Sequence, residues 1–280
     1  MKVRVNFNNR QSFGALPLNS GDFAYKKLLR QGLKDTFGIN CKIEDLAPVA
    51  GPVELKNIID RLKPSQYVPG DNFRANFHLH TQASDGNLTT AEFLEQCCKW
   101  ANKIFKSGKA NDGLPAFSAA ITDHDRVQGT QEAIALIVQE PQKYKNFKFV
   151  TGCEFLLHGY EKSYTAFEAV GLGFNPFDKN LAKMMNGFSS NNNVSDIKKI
   201  KDAGGILSWA HPINTPDKIN NHFFEFLKSN GINGVEGNYQ YSKWDQDYVC
   251  AIKPLLEKLI KKFQMFVTGG TDSHGKTITF

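Results

Sequence analysis

From Arg74 onward, short apolar runs rich in β-branched and aromatic residues alternate with longer runs of helical periodicity. No other feature constrains the fold as strongly, because strands that alternate with helices pair in parallel and are covered by those helices. The strand candidates are residues 75–80 (ANFHLH), 116–122 (AFSAAIT), 147–157 (FKFVTGCEFLL), 166–174 (AFEAVGLGF), 204–211 (GGILSWAH), 234–239 (GVEGNY) and 265–273 (MFVTGGTDS). Helices are predicted at 89–105, opened by a Thr89/Glu92 capping box, at 129–140, at 195–204, opened by Ser195, and at 222–231, closed by Gly231. A last one spans 245–263, where Pro254 should kink or divide it, and the polar segment 189–193 (SSNNN) reads as a loop.

Residues 1–70 lack this alternation and carry no chemical motif. They hold helix candidates at 23–35 and 53–62 and end in the turn-like SQYVPGDN, so they read as an N-terminal appendage packed on a main domain of residues 71–280. A chain of 280 residues accommodates this, since one α/β barrel commonly takes about 250 residues.

Charge and cysteine usage exclude some function classes. No apolar stretch approaches the roughly 18 residues of a membrane span, and the start of the chain, MKVRVNFNNRQSFG, has no apolar core of a secretory signal. Cytoplasm and no membrane partner are the expectations. The cysteines Cys41, Cys97, Cys98, Cys153 and Cys250 show no CxxC spacing and are expected as free thiols, Cys153 as a small buried hydrophobe. The net charge of +6 favours anionic partners in general. Lysines 198, 199 and 201, and 258, 261 and 262, fall at helical spacings beside acids, which fits a solvated helix face; nucleic acid is not indicated. Nothing in the sequence sets an oligomeric state.

His78, His80, His124, His211 and His274 all lie at or just past the C-terminal end of a strand candidate. In parallel α/β folds the loops leaving that edge converge, and ligands bind there. His78 and His80 are two residues apart, so on a strand both rings face one side and can share a cation; a half-buried strand with two hydrogen-bonded histidines is the plain alternative. Asp85 follows in a turn-forming HTQASDG. The 116–122 strand runs straight into Asp123-His124-Asp125, three ionisable residues that are costly to bury unless something satisfies them. Glu154 sits in an apolar segment, where it bridges two cations or pairs with a distant Lys or Arg. His211 precedes Pro212, which stops its strand, and Asp272 and His274 again stand two residues apart. His222, in the aromatic helical run NNHFFEF, reads as an ordinary helix histidine.

The ordered series HLHTQASDG, ITDHD, GCE, AHP and TDSHG resembles the polymerase and histidinol phosphatase (PHP) family over residues 74–275. The resemblance implies a distorted (β/α)7 barrel, and the strand candidates above number seven. It also implies two to three divalent ions. The first is held by His78, His80, Glu154 and Asp272; Glu154 bridges to a second, held also by Asp85 and His124; a third takes His211, His274 and one more residue. Many family members have a histidine there. This chain has Glu168, with His158 as the alternative, and a carboxylate favours a harder ion such as manganese or iron more than an all-nitrogen set would; manganese, iron and zinc are the candidate ions.

The implied activity is hydrolysis of a phosphate ester, of a small metabolite or nucleotide, by water activated between cations. Protonation of the leaving alkoxide falls to Asp125 or His274. Arg126 is placed to grip the phosphate, or is a surface arginine. A metal-dependent hydrolase of a non-phosphate bond, in the style of amidohydrolases, and a non-catalytic module with a degenerate site are the other readings. A Ser/His/Asp hydrolase is disfavoured because no GxSxG elbow occurs.

Overall fold

The computed structural model describes residues 20–160, 165–185, 192–239, 241 and 246–280. Among them are the helices α1 (Ser20–Phe37), α2 (Pro52–Arg61), α3 (Thr90–Lys106), α4 (Gln128–Gln139), α5 (Ile197–Asp202), α6 (Asn221–Ser229) and α7 (Gln246–Lys262). The strands are β1 (Ala75–Asn76), β2 (Phe117–Ala120), β3 (Phe147–Val150), β4 (Gly152–Tyr160), β5 (Thr165–Leu172), β6 (Asn192–Asn193), β7 (Ile206–Trp209), β8 (Gly234–Val235) and β9 (Phe266–Val267). The architecture is mixed α/β.

Local chemistry accounts for the helix ends. Thr89 Oγ1 accepts from Glu92 N at 3.2 Å while Glu92 accepts from Thr89 N at 2.9 Å, the reciprocal box that the sequence predicts for α3. The start of α2 is capped from outside: Asp22 of α1 accepts from Val53 N at 2.9 Å and Glu54 N at 3.2 Å. After α6, Gly231 turns at φ +83°, and Ile232 N closes on Leu227 O at 2.9 Å. Two helix expectations are corrected. Ser195 does not open α5; Asn193 and Asp196 form the box one turn earlier, and Asn192–Asn193 of the predicted loop pair with β4, while 189–191 lie outside the described residues. Pro254 does not divide α7, which buries Val249 before it and Leu256, Leu259 and Ile260 after it. Burial on both sides offsets a proline penalty of about 3 kcal/mol.

The strands form two sheets. One is parallel in the order β1-β2-β3, and the other runs β6-β4-β5-β7-β8-β9. In the second, β5 is antiparallel to both β4 and β7, which corrects the all-parallel expectation. The sequence between β4 and β5 is too short for the helical crossover that a parallel pair requires. A further correction concerns 147–157, read as one strand. It breaks at Thr151, whose Oγ1 donates to Phe174 O at 2.8 Å and whose carbonyl accepts from Gly173 N at 2.8 Å. Gly152 is required at the crossing point, because a Cβ there would fall 2.7 Å from Ile121 O.

The two sheets are joined past their strand ends. Beyond β1 and β9 the chains continue side by side: Phe77 N donates to Gly269 O at 3.0 Å, Asp272 N to His78 O at 2.9 Å and His80 N to Ser273 O at 3.2 Å. Beyond β2, Glu154 N donates to Thr122 O at 3.2 Å and Asp125 N to Glu154 O at 2.8 Å, with a parallel bridge between His124 and Glu154. Both seams therefore fall on the motif residues.

Apolar burial forms three clusters. One lies between α1, α3, α4 and the parallel sheet, one under α5, α6 and α7, and one around α2, Tyr67, Phe77, Val170 and Leu172. Residues 20–70 contribute to the first and third. Residues 48–50 also run along β3, with Phe149 N donating to Pro48 O and Ala50 N to Phe149 O, both at 2.8 Å, so that sheet edge is covered. All five cysteines are free thiols and Cys153 is buried. Among the described residues, no helix is long and apolar enough to cross a membrane.

Candidate metal centre

His78 and His80 lie on the continuation of β1, and both side chains are fully buried, as is that of Glu154 on β4. Glu154 is the hub. Its Oε2 lies 3.0 Å from His78 Nε2, 3.3 Å from His80 Nε2 and 3.2 Å from His124 Nδ1, and its Oε1 lies 3.0 Å from His211 Nε2. Asp272 Oδ1 approaches His80 Nε2 at 3.0 Å and His78 Nε2 at 3.4 Å. Among the described residues no Lys or Arg pairs with Glu154, so the simple buried ion pair does not account for it.

These approaches satisfy little as they stand. His78 Nε2, both ring nitrogens of His80, Glu154 Oε2 and Asp272 Oδ1 are buried without a hydrogen-bond partner. Buried polar atoms are rarely left so, and an ion is a standard reason for an exception. The spacing fits one: donors about 2.1 Å from a cation stand roughly 3.0–3.4 Å from one another in octahedral or tetrahedral shells. Ligand atoms of His78, His80, Glu154 and Asp272 all lie within 4.8 Å of one another, and so do those of His80, Asp85, His124 and His274, and those of His124, Glu154 and Glu168. His, Glu and Asp groups thus stand at metal-binding distance in three overlapping sets, the one with His78, His80, Glu154 and Asp272 being the most buried.

Each predicted ligand has a place in this cluster. Asp85, in the turn after His80, reaches His274 Nε2 at 3.2 Å and His124 Nε2 at 3.8 Å. His274 accordingly sits with Asp85 and His124, whereas His211 sits with Glu154 and with Glu168, whose Oε2 is 3.3 Å away. Glu168, not His158, is thereby the residue beside His211. His222 is exposed on α6. Side-chain exposure of 41% for Asp85, 35% for His274 and 32% for Glu168, against none for His78, His80 and Glu154, sets which side faces solvent.

Asp125 is buried and its Oδ1 accepts from Asn192 Nδ2 at 2.7 Å; Arg126 Nη1 donates to Ala83 O at 3.1 Å, tying down the turn that carries Asp85. Asp123 does the same from beneath, accepting from Thr81 N at 2.6 Å, Thr81 Oγ1 at 2.8 Å and Ser84 Oγ at 2.9 Å. Three residues at the site have left-handed backbones without being glycine: Asp125 (φ 46°), His211 (φ 26°) and Asp272 (φ 47°). Such strain gathers where geometry serves function. Gly270 lets Asp272's strand lie against His78, since a Cβ at 270 would come within 2.7 Å of His78 N.

Two neighbours were not anticipated from the sequence. Tyr239 Oη donates to Asp272 Oδ2 at 2.9 Å, leaving the orphaned Oδ1 facing the histidines. Glu236, at the end of β8, accepts from His78 Nδ1. An acidic residue in the apolar run GVEGNY was the available signal, the same one that marks Glu154 in GCEFLL.

Without cations, protons balance the carboxylates. Burial opposes protonation of His78, but Glu154, Glu236 and Asp272 outweigh it and hold its pKa well above the ordinary value. Burial likewise opposes protonation of His80, yet Asp272 and Glu154 lift it to about 9. Burial and the charge of Glu154 raise Glu168 to about 7. Burial lowers His124. A cation at Nε2 of His80 must displace that proton. Metal uptake at pH 7 is therefore expected to release protons, with apparent affinity climbing until pH passes about 9; calorimetric titration in two buffers of different ionisation enthalpy reads this, and uptake without proton release contradicts it. Because the folded pKa of His80 is raised, its contribution to the metal-free protein is full below about 6.5 and is lost as pH rises through about 9.

No protein-family model matches the chain, and no curated protein matches it.

Proposed function

We propose that the chain is a metal-dependent phosphoesterase of the PHP type, with two or three divalent ions held by His78, His80, Asp85, His124, Glu154, Glu168, His211, Asp272 and His274. The observation that carries the reading is the set of buried donor atoms around Glu154 that approach at 3.0–3.4 Å without hydrogen-bonding. Five carboxylates, those of Asp85, Glu154, Glu168, Glu236 and Asp272, face the imidazoles, a negative charge of the size that two or three divalent cations neutralise. In this reading β1, β2, β4, β5, β7, β8 and β9, taken around both seams, form the seven-membered distorted barrel that the family resemblance implies, with β5 reversed.

Divalent ions in such a site activate water and stabilise charge on phosphate oxygens. The chain's own groups do the rest. Asp85 and His274 lie on the solvent side, where a phosphate ester enters, and Asp85 beside His274 orients that ring. His274 Nδ1 donates to Asp272 O at 3.0 Å, so its Nε2 would be the atom offered to a cation, and the proton for the leaving oxygen would come from a water on this solvent side. Asp125 and Arg126 act by holding the loops at 123–127 and 81–86 in place. Glu168, raised to about 7 by burial and by the charge of Glu154, is a carboxylate that would favour manganese or iron more than an all-nitrogen set does. The substrate class is a small phosphorylated molecule.

A screen of phosphate monoesters and diesters with manganese, iron and zinc, run beside cyclic amides, tests the proposal. Phosphate-ester turnover that disappears on chelation is the expected result. Turnover of amides alone places the chain among other metal-dependent hydrolases, and metal binding without turnover of either substrate places it among non-catalytic modules; both results overturn the proposal.

A further inference from the structure

Glu236 is buried, with 3% of its side chain exposed, and its carboxylate touches two ligand residues that come from different strands. Oε1 and Oε2 lie 3.1 and 3.2 Å from His78 Nδ1, and Oε2 also accepts from the backbone N of His211 at 2.8 Å. Its own backbone is fixed in turn, since Glu236 N donates to Trp209 O at 2.8 Å, extending the pairing of β7 with β8.

We propose that Glu236 is a positioning residue that couples two cation positions by fixing His78 and His211 at once. The inference rests on the metal-dependent reading above. An ionised carboxylate only accepts, so the hydrogen of a neutral His78 must sit on Nδ1 and the lone pair on Nε2. That is the atom 3.0 Å from Glu154 Oε2 and 3.4 Å from Asp272 Oδ1, with no hydrogen bond of its own. At His211 the second bond restrains a backbone with φ 26°, a conformation that is strained for a residue other than glycine. Restrained so, His211 aims Nε2 at Glu154 Oε1 (3.0 Å) and Glu168 Oε2 (3.3 Å). His78 belongs to the set with His80, Glu154 and Asp272, and His211 to the side of Glu168, so one buried carboxylate serves both. β8 thus contributes to the centre without supplying a ligand from this position.

The test is a Co²⁺ titration of the full chain, followed by visible absorption, with the Glu236→Gln and Glu236→Ala variants and with thermal unfolding of each metal-free protein. Glu236→Gln keeps the volume and one acceptor but loses the charge and turns a donor toward His78 Nδ1. We expect its Co²⁺ affinity to fall about 10- to 100-fold, the usual loss when the group behind a metal-bound histidine is removed. The cobalt spectrum should change while the metal-free variant still unfolds in a single cooperative transition. A Glu236→Ala variant that fails to fold leaves the Gln variant to decide. Parental affinity and spectrum in Glu236→Gln overturn this inference alone, and a parent chain that takes up no Co²⁺ overturns it together with the metal-dependent reading.

Discussion

On the proposed phosphoesterase reading, replacing Glu154 by Gln is expected to lower turnover about a thousandfold and to prevent cation binding, at the upper end of what loss of one group that organises transition-state charge produces. The size follows from the contacts of one carboxylate. Four imidazoles lie within 3.3 Å of its two oxygens, and no Lys or Arg among the described residues shares the load. Gln retains the volume but presents one oxygen and an NH₂, whose hydrogens point at nitrogens that need to face a cation. Both Glu154-centred positions are lost together. Steady-state kinetics beside elemental analysis of the variant measure the effect, and turnover within a few-fold of the parent contradicts it.

His78→Ala and Asp272→Ala form the second prediction. Each should lose at least about a hundredfold in rate. The two residues sit on adjoining chain segments, tied by Asp272 N to His78 O at 2.9 Å, and His78 Nε2 stands 3.4 Å from Asp272 Oδ1. Removing either leaves the other without its partner across the seam. If both hold the one ion proposed for them, their effects should not add, because such residues act as a unit. A double variant only slightly worse than the singles is the expected kinetic result; near-native activity in either single variant would falsify the assignment.

Much of the site was legible because its chemistry is written in short-range spacing. His78 and His80 two apart on an extended segment, Asp272 and His274 likewise, and a lone Glu154 in an apolar run each announce donors that need a partner. What spacing does not carry is which groups meet. His274 pairs with Asp85 across 189 positions, at 3.2 Å, because the His80 and Ser273 backbones run side by side. Glu236 and Tyr239 escaped for a related reason: each faces a ligand instead of being one, and neither sits in a repeated pattern. In the fold, the helix periods were readable from their apolar faces, and Thr89/Glu92 from a local box. The reversal of β5 was not, since an apolar strand buried on both faces reads the same in either direction. The break at Thr151 depends on Gly152 meeting Ile121 O and on Tyr25 of α1 reaching Thr151 Oγ1 at 3.0 Å, contacts set by distant segments.

The donors around Glu154 are proposed to share cations. Crystals grown with manganese, measured at and above the metal absorption edge, test it most directly. At least two anomalous peaks are expected among His78, His80, His124, Glu154 and Asp272, about 3.5–4 Å apart. A metal-replete crystal with water alone between those side chains, or with Glu154 bonded only to protonated histidines, contradicts it.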